Sequence, residues 1–265
     1  MNLNDKKLSP DEELDMLLDM HPGIITPLRH EIAKEKIANF IQHNELSEES
    51  IAFFHLRCNR ITIHKPHHDD YLHQPAVHMY EFGNRHHINR LTHADDVGFW
   101  ADTLLLTYNL MMELPPDERK YFSLVASRRL LEKDELHHSY LYRIAPFEFD
   151  DANCPVIMII QSRRINLKGF PQFRHFKRCP ASYTETHAFS AKLLNLKLPP
   201  RVEEAMNWYV KVETEKNTAV KMNIKLETLK EYIRIFRDDI GIDSVKIAGI
   251  LWKIKIGCWL LVGSL

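Results

Sequence analysis

Glycine is scarce in this sequence, with 8 among 265 residues. Neither a GxGxxG turn nor a Walker-type loop is present, which removes dinucleotide and P-loop nucleotide chemistry from consideration. A GxSxG nucleophile elbow and an HExxH zinc motif are missing as well. Cysteine is also thin: Cys58, Cys154, Cys179 and Cys258 stand far apart with no CxxC pair. That spacing indicates neither a zinc ribbon nor a disulfide framework, and it fits a reducing interior. Long uncharged apolar runs are lacking too. The most apolar stretch, IAGILWKIKIGCWLLVGSL at 247–265, is broken by Lys253 and Lys255, short of the roughly 18 residues a membrane helix needs. The amino terminus, MNLNDKKLSPDEELD, is polar and acidic where a secretory signal has an apolar stretch behind a positive start, so the expected location is cytoplasmic.

Charge, by contrast, is abundant and unevenly placed. The net charge of −1 conceals 16 Lys+Arg against 26 Asp+Glu in residues 1–162, then 19 against 10 in residues 163–255. An acidic part followed by a basic one is the outline of a sensing or partner-binding module joined to a nucleic-acid-binding module. The apolar fraction of 45% is ample for a buried core in each.

The texture of the chain divides in the same way. Ser9-Pro10-Asp11-Glu12 reads as a helix start, a serine cap followed by proline at the first helical position. Pro22-Gly23 closes that helix, HEIAKEKIANFIQ (30–42) is a second amphipathic one, and Leu46-Ser47-Glu48-Glu49 can start a third. This N-terminal helical segment, 1–50, is expected to precede the main fold. From Ala52, alternation in Arg60-Ile61-Thr62-Ile63-His64 predicts strands. Val97–Glu113 predicts a long, half-buried helix stopped by Leu114-Pro115-Pro116. Three strands should follow at 121–131, 137–149 and 154–167, separated by the acidic turns 132–135 and 150–153. An antiparallel meander after several helices is an α+β pattern, assigned to a domain at 51–167. Residues 168–197, basic and interrupted by Pro171 and Pro180, read as a linker, and the chain from Leu198 to about Lys255 reads as helices.

In that last part Leu198, Pro200, Arg201 and Glu204 open a segment in which Ala219, Ile224, Thr228-Leu229-Lys230, Gly241 and Ala248 follow at fixed spacing. On these positions 198–252 resembles the LuxR-type (GerE-like) helix-turn-helix domain of bacterial transcription regulators. Thr214 can cap a helix, Asn223 tolerates the left-handed conformation of a tight turn, and Gly241 suits a helix end. Leu229, Ile233, Phe236 and Ile240 should face a core. The resemblance implies a four-helix domain at 198–265 that binds double-stranded DNA as a homodimer. Lys230, Glu231 and Arg234 would then be at base edges and Lys216, Lys225 and Thr228 at phosphates. Its fourth helix, with the apolar extension behind it, would form the dimer contact. The sequence departs from the family pattern at Val212, at Lys225, where a serine or threonine cap is usual, and at the acids Glu227 and Glu231.

Upstream, INRLTHADDVGFW carries His93-Ala94-Asp95-Asp96 just before the long predicted helix. This resembles the His-Pro-Asp-Asp segment of PAS sensory domains, whose last three strands fall where strands are predicted here. The whole layout, with LPPDERKYF between long helix and strands, is similar to PAS-plus-LuxR regulators of Bacteroidetes. It implies a small-molecule or protein signal at the PAS-like domain, with no catalytic residue, no cofactor and no metal. Two readings from other classes stay open. Glu227 and Glu231 fit a protein-interaction module with a degenerate helix-turn-helix. The histidines of HKPHHDDYLHQPAVH (64–78), with His86 and His87, fit a metal-binding sensor or enzyme, or a solvated loop.

Overall fold

A computed structural model describes residues 8–44, 49–65, 80–81, 89–132, 134–165, 167–212 and 214–256. The chain divides into two units, Met1–Tyr183 and Thr184–Leu265. The first mixes helices with one sheet, and the second is built from helices alone among its described residues. The possible third helix of the N-terminal segment falls mostly on 45–48, outside the described residues, and Ser50 already begins a strand.

Helices α1 (Pro10–Asp19) and α2 (Pro27–His43) start where the sequence provides caps. Ser9 Oγ accepts from the Glu12 amide while Glu12 Oε2 accepts from the Ser9 amide at 2.8 Å, a reciprocal capping box, and Thr26 caps α2. Strands β1 (Ser50–His55) and β2 (Arg60–Lys65) form a hairpin whose turn places Asn59 at φ 48°, and β3 (Tyr80–Glu81) pairs with β2. The long helix α3 (Ala94–Glu113) begins three residues before the predicted Val97, because His93 Nδ1 caps the Asp95 amide. It stops at Leu114, which adopts the extended backbone that a following proline imposes. Strands β4 (Ser123–Leu131), β5 (His137–Phe149) and β6 (Pro155–Ile165) are the predicted meander, and β7 (Arg174–Lys177) follows them. The sheet order is β3-β2-β1-β6-β5-β4-β7, antiparallel throughout.

The central pair, β1 and β6, is apolar on both faces. Ile51, Phe53, Ile157 and Ile159 pack with Ala33 and Ile37 of α2. On the other side Ala52, Phe54, Met158 and Ile160 join Leu14 and Leu18 of α1 and Trp100, Tyr108 and Met111 of α3. The N-terminal helices therefore do not precede the fold as expected. They complete it, because a run such as Val-Ile-Met-Ile-Ile leaves neither sheet face fit for water.

The 168–197 stretch also differs from its expected role as a connector. Phe170, Phe173 and Phe176 are buried, and β7 pairs with β4 at the sheet edge. Further on, α4 (Ala188–Asn195) belongs to the helical unit. Basic composition hid a chain whose aromatic residues have a sheet edge to cover. The second unit continues with α5 (Pro200–Val212), α6 (Glu215–Met222), α7 (Leu226–Ile240) and α8 (Val245–Lys255), four helices within 198–265, with α4 ahead of them. Among the described residues no helix is long and apolar enough to cross a membrane.

His21, between α1 and α2, is 3% exposed. Its Nε2–H donates to the Pro155 carbonyl at 2.6 Å, and Nδ1 meets the Tyr108 hydroxyl at 3.0 Å. Burial holds its pKa below the usual value, with the Pro155 contact and Asp150 pulling the other way. An unfolded chain takes up a proton near pH 6.5 that folded His21 refuses, so its contribution is present above that pH and lost as the pH falls, at a slope of at most about 1.4 kcal/mol per unit. Urea unfolding at pH 7.5 and 5.5 should show a larger loss of stability in the parent chain than in His21→Gln.

Candidate functional site

In the helical unit the geometry centres on one turn. Thr214 Oγ1 accepts from the Asn217 amide at 3.3 Å and starts α6, and Thr218 donates back to the Thr214 carbonyl at 2.8 Å. Asn223 ends α6 at φ 52°, ψ 49°, and the Ile224 amide reaches the Ala219 carbonyl at 3.0 Å. Two residues later α7 begins behind Lys225, whose side chain makes no capping bond. Leu229, Ile233, Phe236 and Ile240 are buried on one face of α7, as their spacing required, and the Phe236 ring meets Trp252 edge-on at 5.3 Å. Gly241 at φ 75° closes the helix.

The opposite face is in solvent. Lys216 on α6 and Lys225, Lys230, Glu231 and Arg234 at or on α7 are exposed, and Thr228 is half-buried. Arg234 is held by its own helix. Its Nε and Nη2 donate to both oxygens of Glu231 at 2.8 and 2.6 Å, and Nη1 donates to Asp238 at 2.7 Å. The guanidinium holds the Glu231 carboxyl below the usual carboxylate range, and the two acids raise the Arg234 pKa. Exposed pairs of this kind are screened by water and yield readily to a better anion. Lys216, Lys225 and Lys230 have no ion pair among the described residues.

The sheet unit encloses a cavity of about 80 Å³ between the sheet and helices α1 and α3. Phe54, Trp100, Leu104, Tyr142 and Met158 give it an apolar wall, and Asn89, Thr107, Arg128 and Ser162 add polar points. Arg128 projects from β4, 3% exposed. Its Nε donates to Thr92 Oγ1 at 2.8 Å and its Nη2 to Asn89 Oδ1 at 2.9 Å and to Thr92, while Cζ lies 4.7 Å from the Trp100 ring centre. Burial pushes its pKa down to about 10, so it stays charged at neutral pH. Sequence reading missed Arg128. Nothing in the predicted strand at 121–131 distinguishes Arg128 from the adjacent Arg129.

The adjacent Arg129 has a different role. Asp96 accepts from the Arg129 amide at 2.8 Å and from its guanidinium at 2.6 Å, which ties the first turn of α3 to β4. That pairing explains the second acid of His93-Ala94-Asp95-Asp96.

Two further clusters carry titratable groups. Glu132, Asp134 and His138 lie close enough together to hold a metal ion. Arg164 already places a cation there, 2.9 Å from Glu132 Oε2 and 2.7 Å from His138 Nδ1, and the Tyr140 hydroxyl donates to Glu132 Oε1 at 2.6 Å. Cys154 Sγ is 3.7 Å from His21 Nε2. Burial raises that thiol and lowers that imidazole, the reverse of what a thiolate nucleophile needs. Most of the histidine-rich stretch, 66–79 and 82–88, lies outside the described residues, as does 257–265.

No protein-family model and no curated protein sequence matches the chain. Solved structures do. A phage VqmA–DPO complex overlaps 88% of this chain and 94% of its own at 9% identity and a TM-score of 0.32. The Vibrio cholerae VqmA dimer in the absence of its target DNA, described as a LuxR-type receptor, overlaps 86% and 94% at 15% identity and a TM-score of 0.27. A sensory-box histidine kinase/response regulator from Burkholderia thailandensis overlaps 48% and 84% at 11% identity and a TM-score of 0.33. None of these overlaps is close enough to carry an argument about this chain.

The turn itself can be tested. A β-branched residue at φ 52° meets a steric cost of roughly 1–2 kcal/mol, whereas glycine meets none there. Thermal unfolding should find Asn223→Val destabilised by about that amount and Asn223→Gly within a few tenths of a kcal/mol of the parent chain.

Proposed function

We propose that the chain is a ligand-sensing transcription regulator, a PAS-like sensory unit followed by a LuxR-type helix-turn-helix unit that binds double-stranded DNA as a homodimer in the cytoplasm. The observation that carries this reading is the left-handed turn at Asn223, which places α6 across a helix buried on one side and charged and exposed on the other. An α-helix presented in this way fits the major groove. Lys230, Glu231 and Arg234 are assigned to base edges, and Lys216, Lys225 and Thr228 to phosphates. Arg234 would exchange Glu231 and Asp238 for guanine or phosphate, and Glu231 would accept from cytosine N4. Binding in the cavity would alter the spacing or exposure of two recognition helices. The reading assigns no catalytic step.

A second reading rests on the same face. Glu227, Glu231 and Asp238 equal Lys225, Lys230 and Arg234 in number, and acids on such a face fit a basic protein partner. Mobility shifts on genomic DNA fragments distinguish the two. DNA binding should be present at about 50 mM salt and weaken steeply by about 200 mM. Arg234→Ala should cost roughly 10- to 100-fold, the 1–3 kcal/mol of a bidentate base contact. Lys216→Ala should weaken all fragments alike and reduce the salt slope by about 1. Glu231→Gln should strengthen non-specific binding by removing a charge that repels phosphates. No shift at low salt would reject the regulator reading in favour of the protein-interaction one.

A further inference from the structure

Arg128 is the arginine that lines the cavity of the sheet unit, and it contrasts with the paired arginines around it. Arg174 pairs with Asp102, Arg164 with Glu132, and the half-exposed Arg129 with Asp96. Arg128 is as buried as Arg174, yet no carboxylate among the described residues forms an ion pair with it. Its hydrogen bonds go to a threonine hydroxyl and an asparagine amide oxygen, both neutral. A guanidinium carries five N–H donors. Among the described residues only Nε and Nη2 find acceptors, so Nη1 is left over. Asp96 and Asp11 act on this cation only from beyond ion-pair distance, and a buried guanidinium with no carboxylate in contact is seldom a purely structural device.

Its position gives the unmatched charge a use. Arg128, Asn89 and Trp100 all line the cavity, and the rest of the wall is almost wholly apolar. At about 10–15 Å³ for each water-sized group, 80 Å³ admits roughly five to eight of them. A pocket with one buried cation and an apolar body selects for the complementary molecule. A single guanidinium with one unused amino group matches a monoanion, whereas a phosphate dianion needs more donors than this wall supplies.

We propose that the cavity takes a small organic acid, its carboxylate against Arg128 and its compact apolar body against Phe54, Trp100, Tyr142 and Met158. This rests on the reading of the sheet unit as a sensor and names the chemical class that it senses. Asn89 holds the guanidinium at one end and donates to Asp11 of α1 at 3.5 Å at the other, so the ligand's charge is read next to a helix that caps the cavity.

Calorimetric titration of the full chain with 3-methylbutanoate and butanoate, against 3-methylbutan-1-ol and butan-1-ol, tests the assignment, with inorganic phosphate as a further probe. At least one acid should bind tenfold or more tightly than its alcohol, and phosphate should not bind. Arg128→Met should erase the difference between acid and alcohol while leaving alcohol binding in place. Arg128→Lys, which keeps the charge, should retain part of the preference should the methionine variant not fold. Leu104→Trp, which fills the cavity, should remove binding of both classes. Equal affinities for acid and alcohol would overturn the carboxylate assignment and leave a sensor of neutral ligands. Binding by phosphate alone would also overturn it, and absence of binding by every probe would overturn it together with the cavity's sensory role.

Discussion

The pairing of β1 with β6 is the contact on which the first unit depends. It joins an N-terminal hairpin to a meander that ends more than a hundred residues later, and it places Phe53 opposite Ile159 and Phe54 opposite Met158. Side chains on the two faces of one strand pair then need two separate covers. Helix α2 supplies one and α1 with α3 the other. Each large apolar side chain so buried contributes about 1.5–3 kcal/mol, so loss of either cover would expose several such groups at once. The cavity lies within the same arrangement, where α1 and α3 meet the sheet over Ala52 and Phe54.

Charge is handled differently in the two units. In the sheet unit carboxylates fasten elements together: Glu148 receives Lys36 of α2 at 2.6 Å, Glu132 receives Arg164, and Asp96 receives Arg129. On the outer face of α7 the acids and bases lie in solvent, and among the described residues their ion pairs run along their own helix. The first kind is retained by desolvation of what would be left behind if one partner were removed. The second kind is weak enough to be exchanged, as a recognition surface requires. Arg128 belongs to neither kind, and unlike Arg143, which also has no ion pair among the described residues, it lines the cavity.

Legibility in the sequence followed locality. The capping residues Ser9 and Thr214, the three-strand meander, and the buried stripe of α7 are all set by neighbours within a few positions, and each was readable, whereas the second helix starts behind Thr26, ahead of the expected His30. The acidic turns were readable for the same reason, since Asp150 accepts from the Ala152 and Cys154 amides across its own turn. The role of residues 168–183 was not readable. Their basic count describes the exposed side of the chain, while Phe173 and Phe176 answer to a strand some fifty residues earlier.

The candidate sites divide along the same line. Periodicity alone determined that α7 has an inner and an outer face, and composition alone determined that Lys230, Glu231 and Arg234 share the outer one. Only the tertiary structure decided that Arg234 is held between Glu231 and Asp238, because rotamers and side-chain contacts are chosen in three dimensions. Likewise Arg128 and Arg129 are adjacent and chemically identical in the sequence. Strand pleat sends one into an apolar cavity and the other to the carboxylate of Asp96, and that period of two takes its meaning from the helices on either side of the sheet.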